Sequence, residues 1–104
     1  MRQEDLDVLR AMPVAAPAMI INGKPVMAKT GATLNVVSPI DGSLLTKIPD
    51  ASDADVNIAI TSARRSFDSG VWSRTQPMLR KKIMLAWADL IDKDAIELAV
   101  LGVR

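Results

Sequence analysis

The chain has 104 residues, of which 49% are hydrophobic, and its 13 basic and 12 acidic side chains give a formal net charge of +1. This length suits one domain, and the balanced charge argues against a basic nucleic-acid-binding protein. His and Cys are both absent, which excludes a disulfide framework, Cys/His zinc sites and catalysis by an imidazole or a thiol. The Cys-free composition favours a cytoplasmic protein, and no segment is apolar for long enough to predict a transmembrane helix.

Residues 1–18 are predicted to form an N-terminal arm or linker, and residues 19–104 a single folded segment. Apolar residues at helical spacing predict a short helix within the arm: Leu6, Leu9 and Met12. The Pro-rich stretch that begins at Pro13 should end this helix, because proline has no backbone N–H and restricts the residue before it.

A first β-hairpin is predicted over residues 19–26. Asn22-Gly23 lies between two short apolar segments, and this dipeptide is typical of a two-residue type I′ turn because both residues tolerate positive φ. Pro25 cannot donate to a strand ladder, so the returning strand should lie at the edge of its sheet.

A second hairpin is predicted from Thr33–Val37 and Ser43–Ile48, with Pro49 at its end. Ser38–Gly42 connects the two strands. Its proline fixes φ and its glycine accepts a left-handed conformation, which favours a turn.

Two or three helices should follow the hairpins. Ser52–Asp55 has the pattern of a capping box, and Gly70 suits a helix C-cap. Apolar residues at helical spacing predict one stripe on this helix: Val56, Ala59, Ile60, Ala63 and Phe67.

Pro77 suits the first turn of the next helix, whose predicted apolar face is Leu79, Ile83, Ala86, Trp87, Leu90 and Ile91. Asp94–Glu97 predicts a second capping box, which would open a last helix ending at Gly102. The predicted fold class is therefore α+β, with two short β-hairpins followed by two to three helices that cover part of a larger domain.

Other patterns give weaker predictions. The basic groups Arg64-Arg65 and Arg80–Lys82 lack interleaved aromatic residues and are more typical of solvated helix faces than of a nucleic-acid patch. The Asp residues do not have the spacing of a Ca²⁺-binding loop. Ser73 and Asp89 have no neighbour that would activate them, and Trp87 is expected to pack in a core or an interface.

The order of these features resembles the N-terminal segment of the aldehyde dehydrogenase superfamily. The resemblance runs from about Met19 to Arg104 and depends on the order and spacing of six motifs: Ile20–Lys24, Val37–Gly42, Lys47–Pro49 followed by Ser52–Val56, Ala63–Phe67, Gly70–Ser73 and Leu85–Ile91. Ser38 replaces the usual Asn, and Trp87 replaces a smaller apolar residue. Gly70–Ser73 is also similar to the γ-glutamyl-aminobutyraldehyde dehydrogenase branch.

The resemblance implies an enzyme that oxidises an aldehyde to a carboxylic acid with NAD or NADP, through a Cys nucleophile and a Glu that activates water. In the family these groups, the oxyanion-binding Asn and the Gly-rich cofactor loop all come after the segment that this chain resembles. We therefore expect no catalytic, cofactor-binding or metal-binding residues here, and a truncated chain that is inactive alone. The expected partner is the remainder of the dehydrogenase chain or its subunits, not nucleic acid or a membrane. The alternative is an autonomous structural or interaction module derived from this segment.

One site residue pair carries over from the resemblance. In many family members, backbone carbonyls around the Val-Asn-Pro turn help to hold a monovalent cation, and Val36 and Val37 occupy those positions here. The other ligands come from later in the family's sequence, so we expect no cation site in this segment alone.

Overall fold

The computed structural model describes all 104 residues. It has four helices and four strands in the order α1 (Gln3–Ala11), β1 (Met19–Ile21), β2 (Lys24–Val26), β3 (Thr33–Val37), β4 (Leu44–Pro49), α2 (Asp53–Ser69), α3 (Pro77–Lys93) and α4 (Ala95–Gly102). Two hairpins followed by three helices confirm the predicted α+β class. None of the helices combines the length and the apolar composition needed to cross a membrane.

The first hairpin has the predicted turn. Strands β1 and β2 are antiparallel, with Ile21 opposite Lys24, so that Asn22 and Gly23 form a two-residue connection. Both turn residues have positive φ, 53° and 70°, as a type I′ turn requires. Pro25 pairs with Ile20 in a sheet of only two strands. Each strand is therefore an edge, where a missing donor is tolerated.

The second hairpin pairs Thr33 with Pro49 and Val37 with Leu44, with an irregularity in register between Val36 and Val37. We predicted that its second strand would begin at Ser43, whereas β4 begins at Leu44. The Ser43 N–H and hydroxyl both donate to the Asp41 carboxylate, at 2.9 and 2.7 Å. These local bonds keep Ser43 in the turn.

Both ends of α2 are capped as predicted. The Ser52 hydroxyl accepts from the Asp55 N–H, and the Asp55 carboxylate accepts from the Ser52 N–H, which completes the capping box. At the other end Gly70 has a left-handed φ of 73° and its N–H donates to the Phe67 carbonyl. Pro77 occupies the first turn of α3, as predicted.

The capping box predicted at Asp94–Glu97 is wrong. Asp94 is both the C-cap of α3 and the N-cap of α4, with φ −100° and ψ 11°, and its side chain makes no capping hydrogen bond. A capping side chain needs an extended backbone to fold back over the first turn. Since one residue separates the two helices, Asp94 cannot adopt that backbone.

The N-terminal arm contains the predicted helix, and Met12 ends it with an extended backbone. Helix α1 does not project freely from the rest of the chain, because it packs against α4. The Arg104 guanidinium also donates to the Met12 carbonyl. The division of the chain at residue 18 stays a prediction.

The elements bury very little of one another. Only 5 of 104 residues are buried, namely Ala28, Ser38, Asp55, Gly70 and Val100. The accessible surface is 8332 Å², whereas a compact monomer of 11.2 kDa exposes about 5,700 Å². The Cα radius of gyration is 17.9 Å, against about 13 Å for a compact domain of this length. The chain therefore has well-formed secondary structure without a continuous hydrophobic core.

Candidate functional site

The side chains considered for catalysis lie apart and exposed. Ser73 follows α2, Asp89 lies on α3, and neither takes part in a hydrogen bond that would activate it. The structure contains no group of three or more acidic residues close enough to hold a metal ion. What the structure does offer is a buried carboxylate at the start of α2 and large apolar helix faces.

Asp55 joins the first hairpin's exit to the start of α2. Its carboxylate accepts from the Ser52 hydroxyl at 2.7 Å and the Ser52 N–H at 2.9 Å. It also accepts from the Lys29 N–H at 3.2 and 3.3 Å, across 26 residues of sequence. Asp55 is only 4% exposed. The sequence indicated the capping role of this residue, but the bond to Lys29 has no local sequence signal.

These donors stabilise the charged form of Asp55. Hydrogen bonds from the Ser52 side chain, the Ser52 backbone and the Lys29 backbone, with the Lys29 charge, hold the pKa of Asp55 below its ordinary value of 3.8. Burial opposes this effect and is the weaker influence. The carboxylate is thus a structural anion, with all its donors inside the chain, and is poorly suited to proton transfer.

The turn after β3 is held by short polar contacts. The Ser38 hydroxyl accepts from the Ile40 N–H at 3.2 Å, and the Ser38 N–H and carbonyl bond to Ser43 and Gly42. Hydrogen bonds from the Ser43 side chain and backbone lower the pKa of Asp41. Val36 and Val37 lie at the register irregularity beside this turn. Their backbone carbonyls are the ones that the family resemblance relates to a monovalent cation.

The apolar stripe predicted on α2 does not face the first hairpin. Its larger members remain exposed: Val56 46%, Ile60 61% and Phe67 67%. Of the stripe, only the two small members, Ala59 and Ala63, border the groove against β1, together with Ser62 and Ser66. An α-helix turns by 100° per residue, so the centre of the side that faces β1 lies about 90° around the helix axis from the centre of the stripe. That side consists of Asp55, Ala59, Ser62 and Ser66. Helix α2 therefore borders this groove through small and polar residues, and the large side chains of its predicted stripe stay open.

Helix α3 buries none of its 17 residues. Large apolar side chains on the predicted face are about half exposed: Leu79 49%, Ile83 46%, Trp87 58%, Leu90 59% and Ile91 44%. Further apolar residues are exposed as well: Met78 and Leu85 on the opposite side, and Met84 at the edge of the face beside Ile91. A helix that is apolar on more than one side is typical of a buried position. We call these exposed residues of α2 and α3 the open apolar faces.

The open apolar faces comprise eleven large apolar side chains on two successive helices. Scattered surface Leu or Met residues are ordinary, whereas contiguous apolar surface on successive helices marks an interaction site. Trp87 is exposed, so the core position that we considered for it is absent within this chain, and only the interface alternative remains open. The arrangement can bind apolar protein surface, and this is the strongest candidate function of the segment.

The first hairpin and α2 also enclose a polar groove of about 370 Å³. It is lined by Ile21, Asn22, Asn57, Ile58, Thr61, Ser62 and Arg65. It holds no pair of a nucleophile and a base, because its only titratable side chain is a guanidinium.

Comparison with known proteins identifies the family. The sequence model of the aldehyde dehydrogenase family matches residues 26–104. Phenylacetaldehyde dehydrogenase of Pseudomonas fluorescens is 42% identical over 83 residues, which are 80% of this chain and 16% of that protein. The chain thus spans about a sixth of the length of the curated relatives it matches.

Solved structures agree with the sequence match. The γ-glutamyl-γ-aminobutyraldehyde dehydrogenase of Burkholderia cenocepacia J2315 superposes with a TM-score of 0.89 at 39% identity, over 97% of this chain and 20% of that one. An NAD-dependent aldehyde dehydrogenase of Sinorhizobium meliloti superposes with a TM-score of 0.74 at 36% identity, over 84% of this chain and 17% of that one. In each of these enzymes, an N-terminal segment with this fold is joined to several times its own length of further chain. With its predicted motifs, hairpins and helices all in family order, the chain belongs to the aldehyde dehydrogenase family.

Proposed function

We propose that this chain is the N-terminal part of an NAD(P)-dependent aldehyde dehydrogenase. In this role it is a scaffold for a catalytic unit whose remaining parts lie in further polypeptide outside these 104 residues. The observation that carries the proposal is the open apolar faces. They belong to a chain whose total accessible surface is 8332 Å², whereas a compact monomer of this mass exposes about 5,700 Å². Roughly 2,600 Å² of excess surface is the scale buried in a large permanent interface.

The proposed partner is the remainder of a dehydrogenase, in the same polypeptide or as separate subunits. Apolar helix faces without like-charged patches suit a protein core better than nucleic acid or a lipid headgroup surface. In this role the segment would contribute no reacting group. The thiolate that attacks the aldehyde must come from elsewhere, because this chain contains no Cys.

The proposed reaction is oxidation of an aldehyde to a carboxylic acid with hydride transfer to a nicotinamide. The Sinorhizobium neighbour is NAD-dependent, and NAD is our first choice over NADP for this protein. The neighbours named above act on phenylacetaldehyde and γ-glutamyl-γ-aminobutyraldehyde, so these two aldehydes are the substrates to test first.

The deciding experiment is the intact mass of the native polypeptide, isolated from its source cells with an antibody raised against α3. We expect a mass several times 11.2 kDa, co-purifying with aldehyde-dependent NAD reduction. The purified 104-residue chain, assayed beside it with the same aldehydes, should reduce no NAD or NADP.

Other results would exclude the proposal in recognisable ways. Robust aldehyde-dependent reduction by the purified 104-residue chain would exclude the scaffold role. A native mass of 11.2 kDa with a cooperative, monomeric unfolding transition would instead favour an autonomous interaction module.

We also propose a cytoplasmic location, since these 104 residues contain no Cys and therefore no disulfide framework. Cell fractionation with the same antibody tests it, and recovery in a secreted or periplasmic fraction would contradict it.

A further inference from the structure

Helix α1 packs against α4, and an open groove lies between them. The groove has a volume of about 370 Å³ and is lined from one side by Leu9, Met12, Pro13, Val14 and Ala15, and from the other by Glu97, Val100, Leu101 and Arg104. Val100, 7% exposed, is one of only two buried hydrophobic residues in the chain. The Arg104 guanidinium closes one end of the groove by donating to the Met12 carbonyl.

The two sides of α1 differ in solvent exposure, as expected if one side packs on α4. Leu6 and Leu9 lie on one side and are half-buried, whereas Val8, on the other side, is 64% exposed. Residues three positions apart share a helix face, and residues one or two positions away from them do not. Helix α1 therefore packs on α4 through one defined apolar face.

This arm lies outside the segment that the family as a whole shares. The family match begins at residue 26, and the Sinorhizobium structure leaves 16% of this chain uncovered. That share is about 17 residues. The Burkholderia structure covers 97% of the chain, so at most a few residues lack a counterpart there. Most of α1 thus has an equivalent in a full-length dehydrogenase of that type.

We propose that residues 3–15 form a strap that clamps α4 within the same chain and covers part of its apolar surface. Because α1 packs on the side of α4 that carries Val100 and Leu101, a second segment or a second copy of the chain cannot pack on that same part of α4 while α1 is bound there. This role is independent of the proposed function, since it concerns contacts inside the 104 residues.

The test compares Leu9→Asp with Val8→Asp in the complete 104-residue chain. Both variants place the same charge in the middle of α1, but only Leu9 faces the groove. Amide hydrogen exchange of residues 95–102 should become faster by about tenfold or more in L9D, since the substitution removes a part-buried leucine contact. Exchange in V8D should stay within about twofold of the parent chain.

A deletion of residues 1–12 provides a second variant that does not depend on how α1 tolerates a charge. It should expose α4 as L9D does and raise binding of an apolar fluorescent dye. Exchange across β3 and β4 should stay unchanged and so report that the rest of the chain is folded. Equal protection of residues 95–102 in the parent, L9D and the deletion would overturn the strap. So would protection of residues 95–102 that is found only in a dimer fraction identified by light scattering.

Discussion

At the scale of single residues, Asp55 connects two elements that are distant in sequence. It caps α2 through Ser52 and holds the backbone N–H of Lys29. Asp55→Asn keeps the shape but removes the charge and one acceptor oxygen, so we expect a lower midpoint of urea unfolding and faster amide exchange at Lys29. Asp53→Asn is the matched control, because Asp53 lies in the same first turn but is exposed and bonds to neither Ser52 nor Lys29. Equal effects of the two substitutions would mean that Asp55 stabilises the chain only through its charge near the N-terminus of α2, and not through its bonds to Ser52 and Lys29.

The same residue predicts a pH dependence. A carboxylate whose pKa is lowered in the folded state binds protons more weakly than in the unfolded state. Its contribution to stability is therefore present above the ordinary pKa of 3.8 and is lost as the pH falls through the lower folded pKa. We expect the difference in unfolding midpoint between the parent chain and D55N to be constant from pH 7 to 5 and to shrink below about pH 4. A difference that grows on acidification would contradict this assignment.

Gly70 provides a second prediction at this scale. Its φ of 73° is left-handed, and an added Cβ would lie 2.6 Å from Cδ of Arg74. The arginine side chain can turn away, so most of the strain comes from the backbone, and Gly70→Ala should destabilise the chain by about 1–2 kcal/mol. Gly102 has no positive φ and open space around it. Gly102→Ala should instead stabilise α4 slightly, by up to about 1 kcal/mol. Thermal unfolding followed by circular dichroism compares the two, and destabilisation by both would argue against a conformational cause.

At the scale of elements, sequence predicted what local chemistry decides. The Asn22-Gly23 turn, the Ser52 cap and the Gly70 cap each depend on a few consecutive residues, and each was predicted correctly. The prediction at Asp94 failed because its backbone belongs to two helices at once. Sequence could not show which side of α2 meets β1, because amphipathic spacing identifies an apolar face but not the partner that covers it.

For the open apolar faces, too, sequence predicted the local pattern but not the packing. The apolar residues of α3 were recognised from their spacing, and a burial partner was implied for them. Their exposure was not predictable, because it depends on which elements pack against α3. Likewise, the Lys29–Asp55 contact spans 26 residues, and no spacing pattern reports such a contact.

The exposed face of α3 gives a prediction about this element. Trp87 is 58% and Leu90 59% exposed, so Trp87→Gln with Leu90→Gln should leave the free energy of unfolding within about 0.5 kcal/mol of the parent chain. The same pair should clearly reduce binding of an apolar fluorescent dye, since it removes two large side chains from the open apolar faces. Lys82→Gln, on the same helix, is the control for a change that spares apolar surface. A large loss of stability in the double variant would mean that this face is packed in solution.

At the scale of the whole molecule, the segment is wide and thin, with extents of 47 × 39 × 18 Å. Its thinnest dimension is about that of two packed layers, since helices pack 8–10 Å apart. A chain of this length that folded on itself would bury roughly 60–70% of its surface. Here the hairpins and helices instead leave broad faces open, as our proposal of a covering partner requires.

This shape can be measured directly. Small-angle X-ray scattering of the monomeric 104-residue chain, separated from oligomers by in-line chromatography, should give a radius of gyration of about 18 Å, near the 17.9 Å of the structure. Collapse onto the open apolar faces would lower it towards about 13 Å, and an unfolded chain would raise it towards about 30 Å. Addition of a partner that covers α2 and α3 should protect the amides of both helices without changing their helical content. A monomer near 13 Å would mean that the helices satisfy one another within the chain, and the large excess surface would then carry no argument for a missing partner.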